Sequence, residues 1–419
     1  MNIREITLIF VLAFSFALTA SAQVETEPAP AGEQVEDRVE AVETEEVEPA
    51  APADAEPEQE PEKEAEKPVP KSYEFTIQHN HDTTPVKNQG VTGTCWCFAS
   101  ASFLESELLR EGKGEYNFSE MFIVRNIYMD KAFNYVHRSG KTNFSEGALA
   151  HDFIRAASRH GLVPEQVYDG LDEGVTKHDH AEMAAALTGF LDGIVKRRSL
   201  SPKWKKAFGA VIDTYLGSAP EKFEYQKKSY TPKSFAESIG FSEDNYVSIT
   251  SFNHHPFGRE FVLEIPDNFS SGSFMNVPID QLVETIDNAL ENGFTVAWDG
   301  DVSESGFNQA RGLAVMPTEE GRRKSLRMPV DEIEVTQDMR QETFENHTLT
   351  DDHLMHLTGV ATDQNGTKYY IIKNSWGETG ERDGYLYMSE TYVRAKTIAI
   401  TLHKDAVPET KPEKPQAAK

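Results

Sequence analysis

Cysteine is scarce: 419 residues hold two, Cys95 and Cys97. So few thiols exclude a disulfide framework, and the fold must be held by packing. Positive charge is short as well. Lys and Arg number 41 against 69 Asp and Glu, a formal net charge of −28. That balance argues against nucleic acid as a partner, because phosphates are neutralised by clustered cations. The one basic patch, Lys196-Arg197-Arg198 through Lys203, Lys205 and Lys206, is short and reads as a solvated helical face. No repeat or exposed aromatic stripe points to an adhesion protein. Apolar runs of membrane-spanning length are missing too, so no stable membrane anchor is expected.

What is present begins with a leader, residues 1–22. Arg4 precedes an apolar run from Ile6 to Leu18, too short to span a bilayer comfortably, and Ala20-Ser21-Ala22 offers a small-x-small cleavage site before Gln23. An uncleaved anchor is the other reading of that run. No cysteine follows the cleavage point, so the chain is expected to be exported without a lipid anchor, to a periplasm or to the exterior. Residues 23–70 are built from Glu, Pro and Ala, with 17 acidic and 3 basic side chains. They bury too little apolar surface to offset the entropy of ordering, and disorder is expected. A solvated spacer, a tether and a cleaved pro-segment all fit. A flexible Pro/Lys-rich tail is expected over 406–419, leaving 71–405 for a large core.

The chemistry is concentrated in Pro85-Val86-Lys87-Asn88-Gln89-Gly90-Val91-Thr92-Gly93-Thr94-Cys95-Trp96-Cys97-Phe98-Ala99. From Cys95 onward Phe98, Ala101, Leu104 and Leu108 recur at three and four without Gly or Pro, which predicts a buried helix starting near Cys95. A helix N-terminus favours a thiolate. Gln89, six residues upstream, has a side-chain amide able to hold an oxyanion together with the Cys95 N–H. A base and its orienter are available far downstream in His353 and Asn374. Between them Leu354 to Ala361 and Tyr369 to Ile372 flank the turn signal Asp363-Gln364-Asn365-Gly366, a β-hairpin that sets both side chains together. An asparagine carbonyl accepting from one imidazole nitrogen leaves the other to pair with the thiolate.

Gln89 to Ala99 and Lys373-Asn374-Ser375-Trp376-Gly377 resemble the two signature blocks of the papain-like cysteine peptidases. The resemblance implies that Gln89 serves the oxyanion hole, Cys95 is the nucleophile, His353 the general base and acid, and Asn374 its orienter, with Trp376 covering the Asn–His hydrogen bond. His353 is preferred to His356, which reads as a strand residue, because the family places its histidine six residues before a glycine, here Gly359. Tyr230-Thr231-Pro232, Tyr246 to Phe252, Asn276-Val277-Pro278, Thr295 to Trp298, and Gly384-Tyr385 with Met388-Ser389 are similar to the bleomycin hydrolase and aminopeptidase C branch. His353 stands 258 residues after Cys95, against roughly 130–150 in papain-type enzymes. The implied fold is α+β, a helical lobe carrying Cys95 and a β-barrel-like lobe carrying His353 and Asn374, with an insertion over about 175–274. Thr92 stands where many secreted papains have a half-cystine. Cys97 reads either as a packed thiol or as a redox-sensitive modulator of Cys95.

Thr142 to Gly147 precedes a helical stretch, Ala148 to His160, and resembles the papain segment whose glycine pairs with substrate. Gly147 is thus a substrate-binding candidate or simply part of a turn into the helix. His254-His255 and His178-Asp179-His180 lack a strong zinc spacing, and neither metal nor cofactor is expected. Peptides are the expected substrates. In the resembled branch the chain's own terminal carboxylate lies in the cleft and holds a substrate's amino group; here the extended tail leaves open an aminopeptidase, an endopeptidase with an open cleft, or an inactive peptide-binding relative. That branch also assembles as hexamers, so a homo-oligomer is expected.

Overall fold

The computed structural model describes residues 72–408, all within the compact unit Pro68–Lys419. The leader, the acidic segment and the tail after Pro408 lie outside the described residues. Strand β1 (Phe75–Asn80) leads into α1 (Cys95–Arg110), α2 (Glu120–His137) and α3 (Ala150–His160). Helix α1 starts where the apolar spacing placed it. It is buried on every side from Cys95 to Leu108, because small residues such as Ala99, Ala101 and Ser102 let other elements close around it. Helix α3 begins two residues later than expected: Leu149 stays extended while Asp152 Oδ2 accepts its N–H at 3.2 Å, as a cap does.

The inserted region forms α4 (Ala181–Val195), α5 (Lys203–Leu216), a small hairpin β2 (Phe223–Tyr225) and β3 (Lys228–Tyr230), α6 (Pro232–Ser238), and strands β4 (Tyr246–Thr250), β5 (Arg259–Val262) and β6 (Ser273–Asn276). It does not stand apart, since β4 pairs with a strand from the far end of the chain. The rest runs α7 (Ile279–Glu291), β7 (Val296–Gly300), β8 (Phe307–Asn308), β9 (Leu313–Ala314), α8 (Gln337–Glu345), β10 (His353–Asp363), β11 (Lys368–Lys373), β12 (Tyr385–Ser389), α9 (Glu390–Lys396) and β13 (Thr397–His403). The main sheet has the order β5-β6-β4-β13-β7-β10-β11-β12-β9-β8, with β1 also on β10.

Side chains alternate between two cores, as the two-residue strand period requires. Ala297, Leu354 and Ala399 join the helical core with Phe103 of α1 and Phe153 of α3. Their neighbours Trp298, Met355 and Ile400 join the other core with Leu282 and Ile286 of α7. The β10–β11 hairpin forms as expected, its turn closed by Asp363 Oδ1, which accepts from the N–H of Asn365 at 2.8 Å and of Thr367 at 2.9 Å. Gly359 permits β1 to cross β10: a Cβ there would collide with the His79 carbonyl.

The C-terminal elements are clamped by Arg340 of α8, which is 1% exposed. Its guanidinium donates to the carbonyls of Arg394 at 2.6 Å, Thr397 at 2.7 Å and Ser251 at 3.3 Å. Burial lowers its pKa to about 9, so it stays charged at neutral pH. Arg340→Ala orphans those three carbonyls and opens a cavity, and urea unfolding is expected to lose about 3–5 kcal/mol. A loss below about 1 kcal/mol would mean that water replaces the clamp.

Candidate active site

The loop before α1 is fixed from several sides. Gln89 donates its N–H to Ser375 O at 2.9 Å, accepts from Ser375 Oγ at 2.7 Å through Oε1, and donates through Nε2 to Thr92 O at 2.7 Å. That leaves one amide hydrogen on Nε2. The segment His178 to His180, with both histidines buried, supplies a brace. Val91 N–H donates to His178 O at 2.8 Å, and His180 N–H to Val91 O at 3.1 Å. Gly90 sits at φ +68°, and a Cβ there would strike the His178 carbonyl. Gly93 N–H reaches Glu146 Oε2 at 2.7 Å and Trp96 Nε1 reaches Glu146 O at 3.0 Å.

Cys95 opens α1 as a free, buried thiol. Burial pushes its pKa up to about 12, against opposing hydrogen bonds from the Leu354 and Trp96 N–H groups. The helix N-terminus alone therefore does not yield a thiolate here, because removing water outweighs it. Cys97 is a packed thiol, fully buried with Sγ donating to Glu120 O at 3.3 Å.

His353 begins β10, immediately before the residue whose N–H reaches Cys95, and Asn374 follows β11. Asn374 Oδ1 accepts from His353 Nε2 at 2.7 Å and from Ser375 N–H at 2.7 Å. This assigns the ring proton to Nε2 and makes Nδ1 the basic nitrogen. Trp376 packs against the histidine, its ring 4.8 Å from the His353 ring, and Phe307 meets Trp376 edge-on at 6.1 Å. Burial lowers the His353 pKa to about 4, with the Asn374 bond acting the other way. His356 is a strand residue, buried against α1 with Nδ1 2.9 Å from Ser102 Oγ.

Beside Cys95 is a cavity of about 380 Å³ lined by Gly147, Leu354, Asp267, Asp351 and Asp352 among others. Gly147 lies at its edge, and a Cβ there would overlap Asp267 Oδ2. Its carbonyl accepts from Lys131 Nζ.

A profile described as "Peptidase C1-like family" matches residues 211–417, and one described as "Papain family cysteine protease" matches residues 69–149. The chain belongs to the papain-like cysteine peptidases. Within them it falls with the bleomycin hydrolase and aminopeptidase C branch. Aminopeptidase C of Lactococcus lactis subsp. cremoris is 25% identical over 379 residues, 80% of this chain and 84% of that protein. Aminopeptidase G of Lactobacillus delbrueckii subsp. lactis is 23% identical over 366 residues, 77% and 81%. The crystal structure of PepW from Lactobacillus rhamnosis HN001 superposes with a TM-score of 0.62 at 19% identity, covering 80% of this chain and 83% of that one, a likeness of fold.

In this papain-like peptidase the sequence left several site residues unmarked. Gln309 Oε1 accepts from Asn374 Nδ2 at 2.8 Å, so the orienter is itself oriented, by a residue in a loop with no motif. The brace at His178 to His180 is invisible to spacing because it closes a gap of about 90 residues in sequence. Asp351 and Asp352, next to His353, were readable as a pair of charges but not as a wall.

Three groups, His254, His255 and Glu264, place ligand atoms within 4.8 Å of one another and could hold a metal. Glu264 already accepts from His255 Nε2 at 2.8 Å and His254 Nε2 at 3.2 Å, which accounts for the arrangement as hydrogen bonds.

Proposed function

We propose that this peptidase is an exported aminopeptidase that cleaves peptide bonds through a Cys95 thiolate. The reading rests on three links that draw the set together: Cys95 receives the N–H of Leu354 next to His353, His353 is bonded to Asn374, and Gln89 is bonded to Ser375 next to Asn374. Cys95 itself lines a cavity, in a chain similar to proteins named aminopeptidase C and aminopeptidase G. Taken singly, burial holds the thiol and the imidazole neutral. Moving the Sγ proton to His353 Nδ1 makes two opposite charges side by side, each offsetting the desolvation of the other. The sulfur attacks the carbonyl carbon, and the oxyanion is held by the Cys95 N–H, which at the first helical position has no partner within the helix, and by the remaining Gln89 amide hydrogen. His353 returns its proton to the leaving amine. It then takes one from the water that hydrolyses the thioester, freeing the acid and the thiol.

An endopeptidase is the second reading. Strand β13 starts opposite Gly300, whose other neighbour is His353, and ends opposite Tyr246. Residues 404–408 thus leave the sheet at the end remote from His353, with Ala406 buried against α7, its carbonyl accepting from Asn288 Nδ2 at 2.7 Å. No helix among the described residues is long and apolar enough to cross a membrane, and export rests on the leader sequence alone.

A matched pair of fluorogenic peptides, one with a free and one with an acetylated amino terminus, separates the readings. Cleavage of the free amine alone supports the aminopeptidase; equal cleavage of both supports the endopeptidase. No cleavage across several sequences favours a peptide-binding relative. A mature chain starting at Gln23 in the exported fraction is expected from N-terminal sequencing, and one starting at Met1 would refute the leader. The mass in solution of the same preparation tests assembly as a homo-oligomer, six copies being the form the branch suggests.

A further inference from the structure

The cavity beside Cys95 has an acidic wall that the cysteine–histidine chemistry does not use. Asp299, on β7, is the register partner of Leu354 on β10 and of Ala399 on β13. Opposed residues of antiparallel strands project to the same face, and Leu354 lines the cavity. Asp299 is 3% exposed, and no N–H or hydroxyl of the protein donates to either of its carboxylate oxygens or to Asp351 Oδ2; the one hydrogen bond open to Asp299 is with the Asp351 carboxyl, through a proton held between them. The two carboxyl groups face one another. Across the cavity, Asp267 Oδ1 accepts from Ser145 Oγ at 3.0 Å and Asn143 Nδ2 at 3.1 Å. The nearby cation, Lys131, points its ammonium at the carbonyls of Ser145 and Gly147.

Two facing carboxylates taken out of water are costly unless a proton or a cation stands between them. Burial, followed by the charge of Asp351, holds Asp299 well above the usual carboxylate range, and burial pushes Asp351 up to about 7. Both groups also act on Cys95, each raising its pKa, so a cation seated between them and the thiol would favour the thiolate.

We propose that this cavity is a cation subsite, where a positively charged group of the peptide, its free amino terminus or a Lys or Arg side chain, sits against Asp351, with Asp299 behind and Asp267 across from it. The proposal rests on the peptidase reading and adds to it the substrate class. It also supplies an anchor for an ammonium that does not require the chain's own carboxylate.

The test compares kcat/KM of the purified chain and its Asp351→Asn and Asp299→Asn variants on three fluorogenic peptides of one length. These are an acetylated peptide with norleucine next to the cleaved residue, the same peptide with lysine there, and the norleucine peptide with a free amino terminus. The wild-type chain is expected to prefer one of the cationic peptides by about ten-fold or more, as a charged hydrogen bond gives. Each variant is expected to bring that ratio to within about two-fold; the ratio is the readout, because removing either charge also acts on Cys95 and shifts cleavage of all three peptides together. Which cationic peptide responds identifies the source of the charge. A wild-type chain that cleaves all three alike, or a preference untouched in both variants, overturns the subsite and leaves the peptidase standing. If nothing is cleaved and Cys95 resists alkylation, the peptidase reading fails and the subsite with it.

Discussion

Cys95→Ala is expected to remove peptide hydrolysis by about 10⁴-fold or more in kcat, since no other group can form the thioester. The fold should not change. Cys95 contributes one small buried side chain at the start of α1, and its sulfur serves only as an acceptor for the N–H groups of Leu354 and Trp96. The cost of losing sulfur from such a site is on the order of 1–2 kcal/mol. The measurement is therefore a pair, activity and thermal unfolding on one preparation. Full activity in the variant would exclude Cys95 as nucleophile, and a collapse of the melting transition would make the activity loss uninformative.

His353→Ala is expected to be nearly as severe, with kcat down by about 10³-fold or more, for a reason specific to this site. Burial holds the Cys95 pKa at about 12 and that of His353 at about 4. Neither group ionises alone near neutral pH, so the thiolate depends on transfer of its proton to Nδ1. Without the imidazole the thiol stays protonated and the leaving amine has no acid. Asn374→Ala keeps the base but frees the ring from the 2.7 Å bond that fixes its tautomer, and a smaller loss is expected, about 10–100-fold, by analogy with the loss of other orienting partners. The rate of Cys95 alkylation by iodoacetamide at pH 7 checks the argument independently of substrate. It should fall in His353→Ala, and an unchanged rate would mean that something else lowers the thiol pKa.

The catalytic set was legible because each member lies in a short stretch with local meaning. Cys95 heads a helix whose apolar spacing is unbroken, and His353 and Asn374 flank a hairpin closed by the Asp363 turn. Helix start, hairpin and turn are set by neighbours in sequence, and the structure has α1, β10 and β11 where those signals put them. The role of the inserted region was not legible in the same way. Its strand β4 pairs with β13, whose residues lie 149 (Thr250 to Ala399) to 157 (Tyr246 to His403) positions later, and its residues His178 to His180 hold the Gln89 loop. Nothing local to those segments specifies either partner.

By itself, then, the amino-acid sequence determined the residues of the reaction, the elements that carry them, and the absence of crosslinks in a chain with two cysteines. The tertiary structure decided their environment. It set the resting charge state of Cys95 and His353, since burial, a property of the packed whole, outweighs the local helix terminus. It turned Asp299, which no local signal in the sequence marks, into a buried carboxyl group facing Asp351 that no N–H or hydroxyl of the protein satisfies. Solvation and charge pairing depend on distances across the fold, and a chain read residue by residue does not contain those distances.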